Sequence, residues 1–124
     1  MGLIKTFKQA CKKIGVDPAK ALPDVSVFPE QHQKALIATA KLIIINDALN
    51  RDENNQPWKP DWNNYDEYKY YPWFYLNSPG FRFDVTVYVL ALSDVGSRLC
   101  YRTRALAKHA GETFIDLYKD LMVI

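Results

Sequence analysis

Arginine side chains cluster in the segment VGSRLCYRTR, which contains Arg98, Arg102 and Arg104. Guanidinium groups bind phosphate and carboxylate groups through two parallel hydrogen bonds. Arg98 and Arg102 share one face of a strand predicted over 97–102, and Arg104 begins the next helix, where free amide groups favour an anion. If Arg82 lies on the same side of the adjoining hairpin, these guanidinium groups converge. The alternative is that the arginines pair with neighbouring acidic side chains on a solvated face.

Aromatic rings concentrate in the middle of the chain, around the segment NYDEYKYYPWFY at 64–75. Rings of this kind stack on nucleobases and anchor protein interfaces. The candidate ligand-binding residues of this region are Trp58, Trp62, Tyr68, Lys69, Tyr71 and Trp73, which join Arg82, Arg98, Arg102 and Arg104. The alternative is that Trp58 and Trp62 fold back over the neighbouring strand and fill the core.

Side chains that could catalyse a reaction or hold a metal show no organised pattern. His32 and His109 have no second ligand at metal-binding spacing, and Cys11 and Cys100 are far apart in the sequence. The sequence contains no nucleophile elbow, phosphate-binding loop or dinucleotide fingerprint. It therefore predicts no catalytic residue, metal or cofactor, and a protein that is not an enzyme. A small hydrolase built on loop carboxylates is the weakest alternative.

Hydrophobic periodicity and helix-breaking residues place three helices and three strands along the chain. The predicted helices span 3–15, 29–50 and 104–121, and the predicted strands span 70–76, 81–92 and 97–102. Residues 17–30 form a proline-rich connector. Residues 51–70 form a loop that is either functional or held down by its own side chains. Thr103 is expected to cap the last helix, and Gly111 within that helix allows close packing against a neighbour.

This order of elements predicts an α+β fold, in which a small antiparallel sheet of about three strands packs against three helices. The long helix carries apolar residues on two flanks and is therefore expected at the centre. Strict alternation in strand 81–92 places the apolar side chains from Phe81 to Val89 on one face. A chain of 124 residues with 48% hydrophobic and 24% charged residues is typical of one globular domain, spanning 1–124.

No segment of the sequence resembles a membrane span or a signal peptide. The apolar run ALIATAKLIII is short and includes Lys41, which makes it too polar to cross a bilayer. The first thirteen residues lack the apolar segment of a signal peptide. We therefore expect a cytoplasmic protein with reduced thiols and no membrane partner. The net charge of +2 does not by itself indicate nucleic acid.

Three stretches of the chain resemble a family of small uncharacterised proteins encoded by phages and prophages of gut Bacteroides and their relatives. They are FPEQHQKALIATAKLIIINDALN, WKPDWNNYDEYKYYPWF and VGSRLCYRTRALAKHAGETFIDLYKDLMVI. The resemblance covers nearly the whole chain and is weaker over SPGFRFDVTVYVLALS. The family has no activity that can be carried over to individual residues. The resemblance implies an accessory protein acting in the host cytoplasm, in nucleic-acid metabolism or against host defence.

These patterns together predict a binding protein that forms homo-oligomers and recognises an anionic partner. The arginines would hold phosphate groups, and the rings would stack on the bases of a nucleic acid or nucleotide. The alternative is a structural or protein-interaction module. In that case the aromatic segment would be buried against a second subunit or a host protein.

Overall fold

Four helices and one pair of strands follow one another in the computed structural model, which describes residues 3–124. Met1 and Gly2 of the predicted domain lie outside that range. The elements are α1 (Phe7–Ile14), α2 (Glu30–Leu49), β1 (Lys69–Tyr75), β2 (Arg82–Val89), α3 (Arg104–Thr113) and α4 (Ile115–Met122). The α+β class and the long helix are confirmed. The predicted three strands and three helices are corrected to two strands and four helices within this range.

Helices α1 and α2 lie within the spans predicted for them, 3–15 and 29–50. The Thr6 side chain caps α1 by accepting a hydrogen bond from the Gln9 amide (3.1 Å), and Gly15 ends it in the left-handed conformation (φ 77°). Helix α1 therefore begins later than the predicted Leu3. Helix α2 follows Pro29 and buries Leu42 and Ile45 in the core. It packs against both α1 and α4, which confirms its central place.

The two strands pair in an antiparallel sheet whose register shifts at a β-bulge. Trp73 pairs with Val85, whereas the next residue, Phe74, pairs with Phe83, so Asp84 is the extra residue of β2. The bulge corrects the prediction that all apolar side chains of β2 share one face. Phe83 contacts Phe74 on the side of the helices, with ring centroids 6.0 Å apart. Val85, on the other side of the bulge, faces away from the helices with Trp73.

The predicted third strand, 97–102, makes only one bridge to the sheet. Tyr101 and Tyr70 exchange both main-chain hydrogen bonds, at 2.6 and 2.8 Å. The other side of this segment is held by α2, because Asn46 and Asn50 donate to the Cys100 carbonyl at 2.7 and 3.0 Å. Asn50 also accepts from the amide of Arg102 at 3.0 Å. Side-chain amides therefore replace the ladder that a strand would have formed.

The predicted last helix is divided into α3 and α4 at Phe114. As predicted, Thr103 caps α3, with its hydroxyl accepting from the Leu106 amide at 3.1 Å. Phe114 leaves the helical conformation (φ −110°, ψ 29°) and is buried in the core. The interruption follows Gly111 and Thr113, two weak helix formers. It separates two short amphipathic helices that bury different faces against the same core.

One hydrophobic core joins the helices to the sheet. Its buried members include Ala10 of α1, Leu42 of α2, Phe74 of β1, Ala110 of α3 and Tyr118 of α4. Phe74 stacks on Phe81 with centroids 4.8 Å apart and lies 4.9 Å from the ring of Tyr118. None of the helices within residues 3–124 has the length and apolar character needed to cross a membrane.

Candidate functional site

A cavity of about 360 Å³ lies between α2 and the loop that precedes β1. We call it the tryptophan–arginine cavity. Its lining consists of Ile43, Asn46, Asp47, Asn50, Pro57, Trp58, Lys59, Pro60, Ser97 and Arg98. Trp58 and Arg98, two of the predicted site residues, are forty positions apart in the sequence and meet here. This volume is within the range of sites that hold a nucleotide-sized ligand.

One wall of the tryptophan–arginine cavity is α2, and the opposite wall is a loop that hydrogen bonds hold in place. The indole N–H of Trp62 donates to the hydroxyl of Ser97 at 2.8 Å, which ties the loop to the residue before Arg98. The side chain of Asn55 donates to the Lys13 carbonyl at 3.1 Å and ties the start of the loop to α1. Trp62 was predicted to bind ligand. The structure gives it a positioning contact.

Lys69, another predicted ligand-binding residue, is fully buried and cannot reach a partner molecule. Its ammonium donates to the main-chain carbonyls of Asp61, Asn64 and Leu90 at 2.6, 3.1 and 2.9 Å. The carboxylate of Glu67 lies 3.5 Å away, and the Trp62 ring centroid lies 5.2 Å away. A buried ammonium needs such a set of partners to offset the loss of hydration. Lys69 therefore holds the loop in place.

The charges around the tryptophan–arginine cavity favour an anion that carries a flat ring. Arg98 and Lys59 supply two cations, and both side chains are exposed at the lining. The one carboxylate of the lining, Asp47, already pairs with Arg51 through bonds of 2.9 and 3.2 Å. The half-buried ring of Trp58 offers a surface for stacking. Asp47 can still accept an N–H from such a ring through its remaining lone pairs.

The arginines were expected to converge if Arg82 lay on their side of the hairpin, but Arg82, Arg102 and Arg104 bond to separate partners. Arg82 donates to the carbonyls of Asn77 and Gly80 in the hairpin turn, at 3.2 and 2.7 Å. Arg102 donates to the carbonyl of Arg51 at 3.0 Å, beside the end of α2. Within residues 3–124 neither side chain forms an ion pair with an acid. Arg82 and Arg102 therefore bond to main-chain carbonyls in two different parts of the chain. The spacing of residues in the sequence does not reveal such partners.

Arg104 and Tyr68 belong to a second surface, which we call the tyrosine face. It comprises Tyr68, Tyr70, Thr86, Tyr88, Arg104 and Lys108, and the depression beside Arg104 also contains Asp84. The rings of Tyr68 and Tyr88 stack with centroids 4.5 Å apart, and both are more than two-fifths exposed. The guanidinium of Arg104 lies 5.1 Å from the ring centroid of Tyr70 and donates to the Thr86 hydroxyl at 3.2 Å. Rings and cations therefore meet at the end of the sheet next to α3.

Tyr71 and Trp73 line a third depression, of about 370 Å³, which we call the edge groove. Its lining consists of Tyr71, Pro72, Trp73, Phe74, Leu76, Asp94, Val95, Leu99, Tyr118, Leu121 and Met122. Tyr71 is buried, whereas Trp73 is 47% exposed. Burial, together with the nearby Asp94 carboxylate, raises the pKa of the Tyr71 hydroxyl. This groove is apolar, and its single formal charge is negative.

The two thiols and two buried tyrosines are in environments that keep them protonated. Burial raises the pKa of Cys100 to about 11 and that of Tyr101 to about 12. The hydroxyls of Tyr101 and Tyr118 bond to each other at 2.9 Å inside the core. Cys11 and Cys100 are free and buried, as predicted. In the described range no group of three histidine, cysteine or acidic side chains is arranged to hold a metal ion.

Sequence reasoning missed several residues that shape these surfaces. Asn46 and Asn50 lie in the predicted helix 29–50 without a distinguishing signal, yet both are buried and bond to the segment that carries Arg98. Lys59 had no distinguishing signal except its place between Trp58 and Pro60. The flanking prolines, which restrict the backbone around a tryptophan, were the available clue.

No protein-family model matches this chain, and neither the curated proteins nor the solved structures show significant similarity to it.

Proposed function

We propose that this protein is a non-enzymatic binding protein whose ligand is an anion with a flat ring, of the nucleotide class. The observation that carries the proposal is that Trp58 and Arg98 line one cavity of about 360 Å³ together with Lys59. Stacking on a tryptophan and pairing with cations are the two interactions that nucleotides offer to a protein. The resemblance to phage-encoded proteins implies that the ligand is met in the host cytoplasm.

The polar groups of the tryptophan–arginine cavity support binding more than catalysis. The amides of Asn46 and Asn50 are committed to the Cys100 carbonyl, so they hold the wall rather than face a reacting bond. The Asp47 carboxylate is held by Arg51 at 2.9 Å. The free donors that remain are Arg98, Lys59 and the hydroxyl of Ser97. These can fix a phosphate and a ring, and they include no group poised to transfer a proton.

Binding is tested with AMP, ADP, ATP, adenosine and inorganic phosphate as probes. We expect nucleoside phosphates to raise the melting temperature and to bind in isothermal titration, because binding to the native state stabilises it. Adenosine and phosphate alone should bind at least tenfold more weakly, since each lacks half of the contacts. Trp58→Ala should weaken nucleotide binding about tenfold through lost stacking. Arg98→Ala should weaken it by a similar factor.

Arg82→Ala is the matched control, because Arg82 bonds to the hairpin turn and is remote from the cavity lining. It should leave nucleotide affinity unchanged. The proposal is wrong if no nucleoside phosphate binds to the wild type, or if Trp58→Ala and Arg98→Ala, shown to be folded by circular dichroism, bind as tightly as Arg82→Ala.

A second candidate function is binding of single-stranded nucleic acid to the tyrosine face. The observation that favours it is the exposed Tyr68–Tyr88 stack beside Arg104 and Lys108. A single-stranded DNA of twelve thymidines should then bind with an affinity that falls as salt rises. Tyr88→Ala and Arg104→Ala should abolish this binding, while Trp58→Ala should not affect it. Binding that ignores salt concentration would rule out this candidate.

A further inference from the structure

One edge of β1 is free along the edge groove. Tyr70 directs its N–H and C=O away from β2, because both bond to Tyr101. Main-chain groups alternate along a strand, so the C=O of Pro72 and both groups of Phe74 point to the same edge. Within residues 3–124 these groups have no main-chain partner outside the sheet. The bridge at Tyr101 is thus the only place where a third strand starts, and the next residues of β1 remain open.

Apolar side chains surround this free edge on both faces of the sheet. Trp73 and Leu76 are 47% and 55% exposed, and Met122 of α4 on the opposite wall is 39% exposed. Phe74 and Tyr118 form the floor, with ring centroids 4.9 Å apart. An unpaired edge next to exposed apolar side chains is a liability for a soluble protein unless something pairs with it. The stretch from Pro72 to Leu76 is about 17 Å long, enough for a strand of five residues.

The charge of the edge groove limits what can occupy it. Asp94 is its only charged lining residue, and no lysine or arginine lines it. A nucleic acid would be repelled, because its phosphates would meet a carboxylate and no cation. A second copy of the chain would bring a second Asp94 towards the first. A basic side chain next to Asp94 would also lie close to the rings of Tyr71 and Trp73, which attract cations.

We propose that the edge groove binds an extended segment of another protein, apolar except for one lysine or arginine, which adds a strand to β1. The main chain of that segment bonds to Pro72 and Phe74, its apolar side chains fill the groove, and its cation pairs with Asp94. This mode of recognition joins main-chain hydrogen bonds to side-chain selection. The edge groove shares no lining residue with the tryptophan–arginine cavity, so the two binding sites are independent of each other.

The probe is an acetylated and amidated nonapeptide of alternating valine and threonine with one central lysine, labelled with rhodamine. Fluorescence anisotropy should show that wild-type protein binds it about fivefold more tightly than the same peptide with glutamate in place of lysine. Asp94→Lys should reverse this order. A third peptide, N-methylated at alternate amides, should bind at least tenfold more weakly, because it cannot form a ladder on one side.

Met122→Asp should weaken the lysine peptide at least tenfold by placing a charge in the apolar wall. Val27→Asp is the matched control, since Val27 is 87% exposed and outside the groove, and it should bind like the wild type. Both variants are first compared with wild type by urea unfolding, and Leu76→Asp replaces Met122→Asp if the latter does not fold. The proposal fails if the wild type binds neither charged peptide, binds both equally or binds the N-methylated peptide as well. It also fails if sedimentation shows a wild-type dimer that Met122→Asp dissociates, because the occupant is then a second copy.

Discussion

Gly111 of α3 lies so close to Pro72 of β1 that a Cβ atom added to the glycine would stand 2.7 Å from the proline Cβ. The same atom would also stand 2.9 Å from the ring of Phe83. This contact brings helix and sheet together at a distance that no side chain at position 111 allows.

Gly111→Ala is therefore expected to destabilise the protein, although alanine favours helices over glycine by about 1 kcal/mol. Overpacking against a rigid proline and a partly buried ring costs about 1–3 kcal/mol, and we expect a net loss of about 1 kcal/mol in the free energy of unfolding. Urea unfolding followed by circular dichroism measures it. Glu112→Ala, at the exposed neighbouring position, should change stability by less than about 0.5 kcal/mol. A more stable Gly111→Ala would show that α3 and β1 do not touch as described.

Lys69→Met should lower the free energy of unfolding by about 3 kcal/mol, because three carbonyl oxygens lose their buried ammonium partner. The substitution keeps the length of the side chain, so lost hydrogen bonds dominate the effect. The loop should also loosen, which we expect to see as a change in tryptophan fluorescence from Trp62 and as weaker nucleotide binding in the tryptophan–arginine cavity.

Lys8→Met is the control for this prediction, since Lys8 is exposed on α1. It should leave both stability and fluorescence unchanged. Equal stability of Lys69→Met and Lys8→Met would mean that the Lys69 ammonium is not buried among the loop carbonyls.

Asn50→Ala should destabilise the protein by about 2 kcal/mol, because the amide of Arg102 loses its acceptor and the Cys100 carbonyl loses one donor. Asn50→Asp separates the two contributions, since aspartate can still accept from Arg102 but cannot donate to Cys100. Thermal unfolding should rank the wild type first, with both variants below it. Asn54→Ala, in the exposed loop, should have the melting temperature of the wild type. An equal loss of stability in Asn54→Ala would contradict the hydrogen bonds assigned to Asn50.

Alkaline pH should unfold the protein through its buried thiol and phenols. Burial raises the pKa of Cys100 from 9.0 to about 11 and that of Tyr101 from 10.0 to about 12, since the folded state disfavours their charged forms. The unfolded chain therefore loses these protons first. The contribution of these two protonated groups to the free energy of unfolding is fully present below about pH 9 and is lost as the pH rises towards 12.

Urea midpoints measured from pH 8 to pH 11 should reveal this decline. Cys100→Ala should make the urea midpoint vary less with pH between pH 9 and 11, because the titrating thiol has been removed. Tyr65→Phe, which removes an exposed phenol, should leave the curve unchanged. A midpoint that does not vary over this range would contradict the burial of both groups.

Local patterns predicted where α1 and α2 lie and where α3 begins, but they missed the break at Phe114. Long-range hydrogen bonds decided the structure of segment 97–102. Thr6, Gly15 and Thr103 act at the helix ends through contacts within a few residues. The segment 97–102 has the composition of a strand, yet its main chain bonds to side chains of α2 some fifty residues away. No periodicity within a segment encodes such a partner.

The sequence indicated which residue types would form a candidate site, but it did not indicate how these residues are arranged. Trp58 and Arg98 were both expected to bind ligand, but Arg98 was expected beside other arginines rather than beside a tryptophan. Lys69 was expected to be exposed, as most lysines are. Its burial depends on three carbonyl groups that converge only when the loop is folded.

The bulge at Asp84 gives the sheet hairpin an unequal tolerance to changes in length. On each side of the bulge, successive side chains point to alternate faces of the sheet. Because Asp84 is one extra residue, Phe83 points inward and Val85 points outward, although they are two positions apart. Deleting Asp84 would make Phe83 and Val85 neighbours, so simple alternation would still turn one inward and the other outward, each opposite its present partner. Deleting any other residue of β2 would shift the register and turn side chains to the wrong face. Homologues of this protein should therefore vary in length at position 84 and in the turn between the strands, and keep their spacing elsewhere in β2.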